Sequence, residues 1–324
     1  MRYAYYPGCS LHSTGQEFDK SLLAVCDKLD VELVEIDKWV CCGSTAAHNI
    51  SRVAASALPM ANLALMPQMG LNEVIVPCAE CFSKLKIAQH NCKTDKKLRR
   101  DVVESIHRDC NDDAKVLHPL SIFSEEPLIS KIPTLVEKDL SMLKVVCYYG
   151  CLLTRPPKIT QFDIAEYPET MDRVLRAAGI TTLDWDHKTI CCGASFSLSK
   201  PDIVVNLSHK IIEDARAVGA DAIAVACPMC HANLDTRQDD MEKEYGEHPQ
   251  MPVLYFTQLM GYSFGLSPEE LLLKKHLTDV SSLIEKANTP VEQEAPAEEE
   301  EEIDFFDELH SASPGETRRQ RQET

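Results

Sequence analysis

Ten of the fourteen cysteines in this chain form two sets that repeat one pattern. Each set has a cysteine after a glycine, then a Cys-Cys-Gly triplet, then a Cys-x2-Cys pair. The first set is Cys9, Cys41, Cys42, Cys78 and Cys81, and the second is Cys151, Cys191, Cys192, Cys227 and Cys230. Since Cys191 lies 150 residues after Cys41, and Cys227 lies 149 residues after Cys78, the chain contains an internal repeat.

Thiols at this density favour metal chemistry. Intracellular proteins usually keep cysteine for metal or redox sites, and adjacent cysteines such as Cys41 and Cys42 do not easily form an unstrained disulfide with each other. An iron-sulfur cluster needs about four thiolates, and each set offers five. The fifth is either a bystander to a four-ligand cluster or a bridge between irons in a larger or opened one. The main alternative, a structural zinc site with thiolate ligands, explains neither the fifth cysteine nor the adjacent pair.

The stretches between the cysteines predict alternating strands and helices, with three strands in each half. Short apolar runs precede Cys9 and Cys151, and the buried strands EVIVP and DAIAVA precede the two Cys-x2-Cys pairs. Gly70 and Gly219, just ahead of these two strands, suit the ends of helices. The predicted fold class is therefore α/β, with two duplicated domains that each have a small, mostly parallel sheet flanked by helices.

This alternation predicts that the motif cysteines lie together at one edge of each sheet. Every motif cysteine follows a strand and precedes a helix, and open α/β sheets bind ligands at that edge. Helices that start after Cys81 and Cys230 would direct N–H groups and a partial positive charge toward thiolates there. The second repeat has eight extra residues between Cys151 and Cys191, and they fit a surface loop over residues 155–168.

Composition divides the chain into three parts. We expect a first cysteine-rich domain over residues 1–139, a second over residues 140–285 that includes a closing helix, and a disordered acidic tail over residues 286–324. The net charge is −18, of which residues 285–324 contribute −9. No basic face is visible, which argues against a nucleic-acid partner. The tail segment 303–309 (IDFFDEL) is either a short docking peptide or part of a solvated tail with no partner.

The full spacing resembles that of a known family. The pattern Cys-x31-Cys-Cys-Gly-x34-Cys-x2-Cys, repeated as Cys-x39-Cys-Cys-Gly-x33-Cys-x2-Cys, is similar to the CCG-domain family typified by the B-type subunit of heterodisulfide reductase, and the resemblance covers residues 1 to about 262. It implies that each half holds a [4Fe-4S] cluster of the non-cubane type, with the ten cysteines above as ligands. It also implies that a disulfide substrate is split between the two clusters, each sulfur going to an iron.

One residue departs from the archaeal members of this family. Archaeal heterodisulfide reductases usually have Cys-Cys-Pro in the first repeat, where this chain has Gly43 after the cysteine pair. Glycine in both repeats is similar to bacterial relatives, which include the E-type subunit of some succinate or fumarate reductases. The resemblance therefore implies the ligand set without implying a particular disulfide.

Partner proteins are implied as well. The family resemblance implies a ferredoxin-like, C-type subunit and often a flavin-bearing, A-type subunit. The chain has no Gly-x-Gly-x-x-Gly after a strand, no Gly-x4-Gly-Lys-Ser/Thr and no ferredoxin run of cysteines, so we expect no flavin or nucleotide on it. No apolar stretch reaches the roughly 20 residues of a membrane span, and the N-terminus lacks a signal peptide. These features predict a cytoplasmic protein that associates with a membrane only through partners.

Three histidines lie beside motif cysteines. Each is either a proton donor to a departing thiolate or, more often for such a residue, a hydrogen-bonded structural group. These candidates are His12, His48 and His231. The remaining cysteines have no counterpart in the repeat and are expected to be small buried residues. They are Cys26, Cys92, Cys110 and Cys147.

The predicted function is that of an iron-sulfur oxidoreductase subunit that exchanges electrons between a partner protein and a small disulfide or thiol. Two facing clusters can deliver the two electrons of a disulfide one at a time. A second interpretation keeps the clusters but makes them a relay in a membrane-associated, quinone-linked dehydrogenase such as a succinate or fumarate reductase. A third, from another class, is a zinc-stabilised scaffold.

Overall fold

The apolar runs that precede the motif cysteines form parallel strands, as their composition predicts. The structure, a computed structural model, describes residues 1–44, 47–246 and 250–288. The side chain of His48 and residues 289–324, which hold most of the predicted acidic tail and the segment 303–309, lie outside the described residues.

Each half is organised around a four-stranded sheet. The strands of the first sheet are β1 (Arg2–Tyr5), β2 (Glu32–Glu35), β3 (Glu73–Ile75) and β4 (Lys115–Leu117). The strands of the second sheet are β5 (Leu140–Tyr148), β6 (Ile180–Leu183), β7 (Ala222–Val225) and β8 (Val253–Tyr255). The strand orders are β2-β1-β3-β4 and β6-β5-β7-β8, and every pairing is parallel. The predicted α/β class and the duplicated parallel sheets are confirmed.

Helices connect the strands and flank both sheets. Those of the first half are α1 (Gly8–Leu11), α2 (Gln16–Lys28), α3 (Ala47–Ile50), α4 (Arg52–Leu63), α5 (Ala79–Thr94), α6 (Lys96–Ile106), α7 (Pro119–Phe123) and α8 (Leu128–Lys131). Those of the second half are α9 (Pro157–Thr160), α10 (Thr170–Ala177), α11 (Pro201–Ala217), α12 (Pro228–Thr236), α13 (Gln238–Tyr245), α14 (Phe256–Ser263) and α15 (Ser281–Asn288). Short 3-10 helices cover Met66–Met69, Ile132–Leu135, Ala194–Phe196 and Leu273–Lys275. None of the described helices is both long enough and apolar enough to span a bilayer.

The prediction of three strands per half was wrong by one strand in each. The extra strands are β4 and β8, and both are only three residues long. A run of three residues is too short to show a strand period. Both lie at the sheet edge beyond β3 or β7, where pairing with one neighbour is enough to form them.

Aromatic side chains join the two halves through a buried contact. Phe18 of α2 stacks on Tyr255 with ring centroids 4.4 Å apart, and it meets the ring of Phe256 edge-on. The hydroxyls of Ser21 and Thr257 lie 2.6 Å apart beside this stack. The two halves therefore belong to one compact unit, Met1–Thr289, and the domain boundary after residue 139 stays a prediction.

The Phe18→Ala variant is expected to lower the free energy of unfolding by about 3–5 kcal/mol, because it leaves a cavity beside Tyr255 in a closely packed contact. Urea unfolding followed by circular dichroism measures the change, with Phe196→Ala as the control because Phe196 is 44% exposed. An unchanged unfolding midpoint for Phe18→Ala would show that this stack does not hold the halves together.

Candidate metal centre

The strand order brings the cysteines of each set to one place. Cys9 lies in α1 directly after β1, the pair Cys41 and Cys42 follows β2, and Cys78 directly precedes α5 after β3. Because β1 lies between β2 and β3, the chain leaves neighbouring strands in opposite directions there, and an open crevice results. The second set is placed in the same way around β5, β6 and β7.

The sulfur atoms of each set approach one another. In the first set the Sγ atoms of Cys42 and Cys81 lie 3.3 Å apart. In the second set the corresponding Sγ atoms, those of Cys192 and Cys230, lie 3.6 Å apart, and those of Cys151 and Cys191 lie 3.9 Å apart. Equivalent cysteines of the two repeats therefore have similar Sγ–Sγ distances.

The helices α5 and α12 begin between the two cysteines of each Cys-x2-Cys pair. The prediction that they begin after Cys81 and Cys230 was wrong, since Cys78 and Cys227 are the N-cap residues. Both N-cap residues have an extended backbone, as N-caps usually do. The pKa of Cys227 lies well below its ordinary value because the Cys230 thiol donates to it, with further help from Cys78 and from backbone N–H groups.

The glycine after each cysteine pair forms a left-handed turn that aims its N–H at sulfur. Gly43 and Gly193 have φ angles of +78° and +79°. Their N–H groups donate to the Sγ atoms of Cys41 at 3.4 Å and of Cys191 at 3.3 Å. A hydrogen bond from the Cys151 thiol, together with the N–H groups of Gly193 and Ala194, lowers the pKa of Cys191 to about 6. The N–H of Gly43 acts in the same direction on Cys41, but burial outweighs it and raises the pKa of Cys41.

Sequence analysis missed a second pair of glycines that make room for sulfur. A Cβ atom on Gly8 would lie 3.0 Å from Sγ of Cys81, and one on Gly150 would lie 2.8 Å from Sγ of Cys230. Real Cβ atoms rarely approach other atoms this closely. The sulfur atom therefore fits beside each glycine only because glycine has no side chain. The match of YYPGC with YYGC could have indicated this pair, because it aligns Gly8 with Gly150.

The tyrosines of the same match anchor the cysteine pairs. The hydroxyl of Tyr6 donates to the carbonyl of Val40 at 2.8 Å, and that of Tyr148 donates to the carbonyl of Ile190 at 2.6 Å. Val40 and Ile190 directly precede the Cys-Cys pairs. Each tyrosine thus ties the end of the central strand to the neighbouring loop that carries the cysteine pair.

The two sets adjoin each other across the contact between the halves. The interaction of the Cys78 thiol with that of Cys227 raises the pKa of Cys78 well above its ordinary value. A cavity of about 90 Å³ lies beside the second set, and Ala79 and Glu80 of the first half line it together with Tyr149 and the second-set cysteines. A ligand in this cavity would contact residues from both halves.

The donor set fits an iron-sulfur cluster. Five soft thiol ligands converge in each half, backbone N–H groups point at sulfur, and Gly8 and Gly150 leave space beside it. The four motif cysteines that are not buried are Cys9, Cys41, Cys151 and Cys191. Each half therefore exposes one side of its cysteine set.

The two histidines whose side chains the structure describes contact groups other than motif cysteines. His12 is exposed, with Nε2 3.3 Å from a carboxylate oxygen of Glu35 and its ring against Trp39. His231 is buried, and burial lowers its pKa to about 4. The role of His12, His48 and His231 as proton donors stays a prediction.

His231, Asp235 and His276 converge in the second half. Gln258 accepts the N–H of Tyr255 through Oε1, so its amide nitrogen is the atom 2.9 Å from Nε2 of His276. That ring nitrogen therefore accepts a hydrogen bond, while Nε2 of His231 lies 2.9 Å from Nδ1 of His276 and 3.1 Å from the carbonyl oxygen of Val253. The Asp235 carboxylate accepts the N–H groups of Leu277 and Thr278, and these contacts tie the segment around His276 to α12.

The four cysteines outside the repeat lie in the core. Cys26, Cys92, Cys110 and Cys147 are all buried. The thiol of Cys147, the nearest rival for a ligand position, is fully buried, and burial raises its pKa well above its ordinary value.

A comparison with protein families agrees with the duplicated site. Residues 3–86 and 145–235 match the family CCG, described as a cysteine-rich domain. The two matches correspond to the two repeats, and the chain belongs to this family.

Individual proteins are also similar to the chain. It is 28% identical over 285 residues to the 8-methylmenaquinol:fumarate reductase membrane anchor subunit of Wolinella succinogenes, covering 87% of this chain and 98% of that one. It is 26% identical over 282 residues to the B-type subunit of the ferredoxin/F420H2-dependent CoB-CoM heterodisulfide reductase of Methanosarcina acetivorans, covering 85% and 93%. A crystal structure of a hypothetical protein from Helicobacter pylori superposes with a TM-score of 0.69 at 12% identity. It matches 86% of this chain, which spans 52% of that structure, and the likeness concerns the fold alone.

Proposed function

We propose that this chain is the iron-sulfur subunit of a heterodisulfide reductase-like complex and exchanges electrons with a disulfide or thiol at two [4Fe-4S] clusters of the non-cubane type. The observation that carries the proposal is the placement of two five-cysteine sets at equivalent sheet edges, with close Sγ contacts between Cys42 and Cys81 and between Cys192 and Cys230. The relative from Methanosarcina acetivorans, named as a heterodisulfide reductase component, supports it, since 93% of that protein aligns with the chain.

The ten cysteines are the proposed ligands. The first cluster would be held by Cys9, Cys41, Cys42, Cys78 and Cys81, and the second by Cys151, Cys191, Cys192, Cys227 and Cys230. When bound, such clusters supply reversible one-electron transfer. The N–H groups of Gly43 and Gly193 favour the thiolate forms of Cys41 and Cys191, and the fold shields the buried cysteines from water.

The cavity beside the second set is lined by all five of its cysteines, so a bound cluster would take up much of its volume of about 90 Å³. Ala79, Tyr149 and Met229 give it apolar walls. We infer that a thiol or disulfide reaches the second set from its open side, where Cys191 is exposed and Cys151 is half-buried. Electrons would come from, or go to, a ferredoxin-like protein, with a flavin-bearing protein behind it, in a cytoplasmic complex that reaches a membrane only through these partners.

Turnover of a small disulfide tests this proposal. Iron-loaded protein reduced with a viologen dye is mixed with a symmetric alkyl disulfide, and released thiol is measured. We expect thiol release that the buried-cysteine control Cys26→Ala retains, because Cys26 lies outside both sets. Fully iron-loaded protein that reoxidises without releasing thiol from any disulfide tried would contradict the proposal.

A second candidate function is an electron relay in a quinone-linked reductase. The 28% identity to the fumarate reductase component, 98% of which aligns, favours it. A relay needs the same clusters but no contact between them and a thiol. It therefore predicts cluster spectra that do not change when a thiol is added, whereas the first proposal predicts a change.

A further inference from the structure

The repeat places a lysine three residues before each cysteine pair, and the two lysines have opposite environments. Lys38 in the first half has a side chain that is 85% exposed, and its Nζ lies 3.9 Å from the carboxylate of Asp37, which is also exposed. Lys188 in the second half has a side chain that is 1% exposed. One sequence position thus carries a solvated charge in one repeat and a buried charge in the other.

The buried lysine is paired with an equally buried carboxylate. Nζ of Lys188 lies 3.1 Å from Oδ1 of Asp172, whose side chain is 0% exposed. It also donates to the carbonyl of Pro168 at 3.2 Å and lies 4.3 Å from the centre of the Tyr167 ring. Tyr167 and Pro168 belong to the insertion predicted as a surface loop over residues 155–168, so part of that insertion covers Lys188. Burying such a pair requires that its partners satisfy it well, as they do here.

Asp172 connects this charge pair to the wall of the second cysteine set. Its Oδ2 accepts a hydrogen bond from the hydroxyl of Tyr149 at 2.6 Å. The same hydroxyl accepts the backbone N–H of Met171 at 2.6 Å, which fixes the ring. Tyr149 lines the cavity beside the second-set cysteines and lies two residues before Cys151. The first repeat has Pro7 at the position of Tyr149, so it has no such link.

The backbone of Lys188 holds the same turn. Its carbonyl accepts the N–H groups of Tyr149 at 2.9 Å and Gly150 at 3.2 Å. One residue therefore fixes both the turn that ends in Cys151 and the segment that ends in Cys191. The fit is tight, because a Cβ on Gly150 would lie only 2.8 Å from Sγ of Cys230.

We propose that Lys188 and Asp172 form a buried charge pair, covered by the insertion, that positions Cys151 and the Cys191-Cys192 pair and makes the second cysteine set different from the first. Both are positioning residues, since they act through Tyr149 and the backbone. This inference goes beyond the proposed function. Only the expected spectroscopic change rests on that function, because the two residues position the cysteines with or without a cluster.

Alkylation of single cysteines tests the proposal in the full-length chain. The Lys188→Met variant is compared with Lys38→Met, which removes the same charge from the exposed position. Peptide mass spectrometry follows alkylation of Cys151 and Cys192, with Cys9 and Cys42 as the matched residues of the first set. In Lys188→Met we expect alkylation of Cys151 and Cys192 to accelerate roughly tenfold, as local opening becomes easier. The first-set cysteines, and all cysteines in Lys38→Met, should keep wild-type rates.

The double variant Lys188→Met/Asp172→Asn separates positioning from simple charge balance. It removes both charges but leaves Tyr149 an acceptor, so it should recover the thermal midpoint that Lys188→Met loses. We expect fast alkylation of Cys151 and Cys192 to persist, because the bond to Pro168 is still missing. In iron-loaded protein, the electron paramagnetic resonance signature and midpoint potential of the second set should stay shifted, and those of the first set should stay unchanged.

Three results would overturn the proposal. They are wild-type alkylation of Cys151 and Cys192 in Lys188→Met, equal acceleration in both sets, and full recovery of wild-type rates in the double variant. Protein that takes up no iron would contradict the proposed function, yet the alkylation rates would still decide the positioning role.

Discussion

The Cys192→Ala variant is expected to lose about half of the iron that the wild-type protein binds, roughly four of eight atoms for two [4Fe-4S] clusters. Cys192 is buried, its Sγ lies 3.6 Å from that of Cys230, and the amide of Asn233 lies 3.5 Å from the same Sγ. The other thiol near this half, Cys147, is fully buried, and burial raises its pKa well above its ordinary value, so it is a poor substitute ligand. Iron and sulfide analysis of protein purified without oxygen measures the loss.

Two control variants are measured alongside Cys192→Ala. The Cys42→Ala variant should lose the other half of the iron, since Cys42 occupies the same position in the first set, and Cys26→Ala should lose none. Full iron in Cys192→Ala would show that this cysteine is not a ligand. Loss of all iron from either single variant would show that the two sets form one cooperative unit, and the boundary after residue 139 would then be wrong.

The Gly150→Ala variant is expected to lose the iron of the second set without losing any cysteine. The new Cβ would lie 2.8 Å from Sγ of Cys230, so the sulfur or the turn must move. Gly219→Ala is the matched control, because Gly219 has a similar φ of +76° against +68° but meets nothing within 4 Å. Both variants carry the left-handed backbone strain of about 1–2 kcal/mol, and only Gly150→Ala adds the clash with sulfur.

Iron content and thermal unfolding of both variants separate these effects. Gly219→Ala should keep all of its iron with a modestly lower thermal midpoint. Gly150→Ala should have a lower midpoint than Gly219→Ala in the iron-free protein, because of the clash with Sγ of Cys230, and should bind roughly half the wild-type iron. Equal iron in the two variants would mean that the approach of Cys230 to Gly150 has no part in the site.

The cysteine sets and the fold class could be predicted because both depend on local patterns. A strand that ends beside Cys9 or Cys78 must deliver that residue to the sheet edge, and parallel strands share their carboxyl edge. The glycine after each cysteine pair is also part of a local pattern, whereas the hydrogen bond from its N–H to sulfur depends on the turn that forms in the fold. The short strands β4 and β8 escaped prediction because three residues carry no period.

The environment of the charged residues could not be predicted from spacing. Lys38 and Lys188 are the same residue at the same distance from a cysteine pair, yet one is exposed and the other is buried. The difference arises from the insertion and from Asp172, which meet Lys188 only after the second half has folded. The same holds for Phe18 and Tyr255, whose contact joins residues far apart in the chain.

Membership of the CCG family favours the two iron-sulfur interpretations over the zinc-stabilised scaffold. A structural zinc site would need only four ligands, which leaves the fifth cysteine of each set unexplained. The relatives from Wolinella succinogenes and Methanosarcina acetivorans carry the names of a fumarate reductase component and a heterodisulfide reductase component, respectively. The response of the clusters to a thiol is the property that separates these two functions.

The most direct test is iron and acid-labile sulfide analysis, combined with electron paramagnetic resonance before and after a small thiol is added under mild oxidation, on protein purified without oxygen. We predict about eight irons per chain and a signal that changes with the thiol. Zinc in place of iron would contradict the central claim that the two cysteine sets hold iron-sulfur clusters.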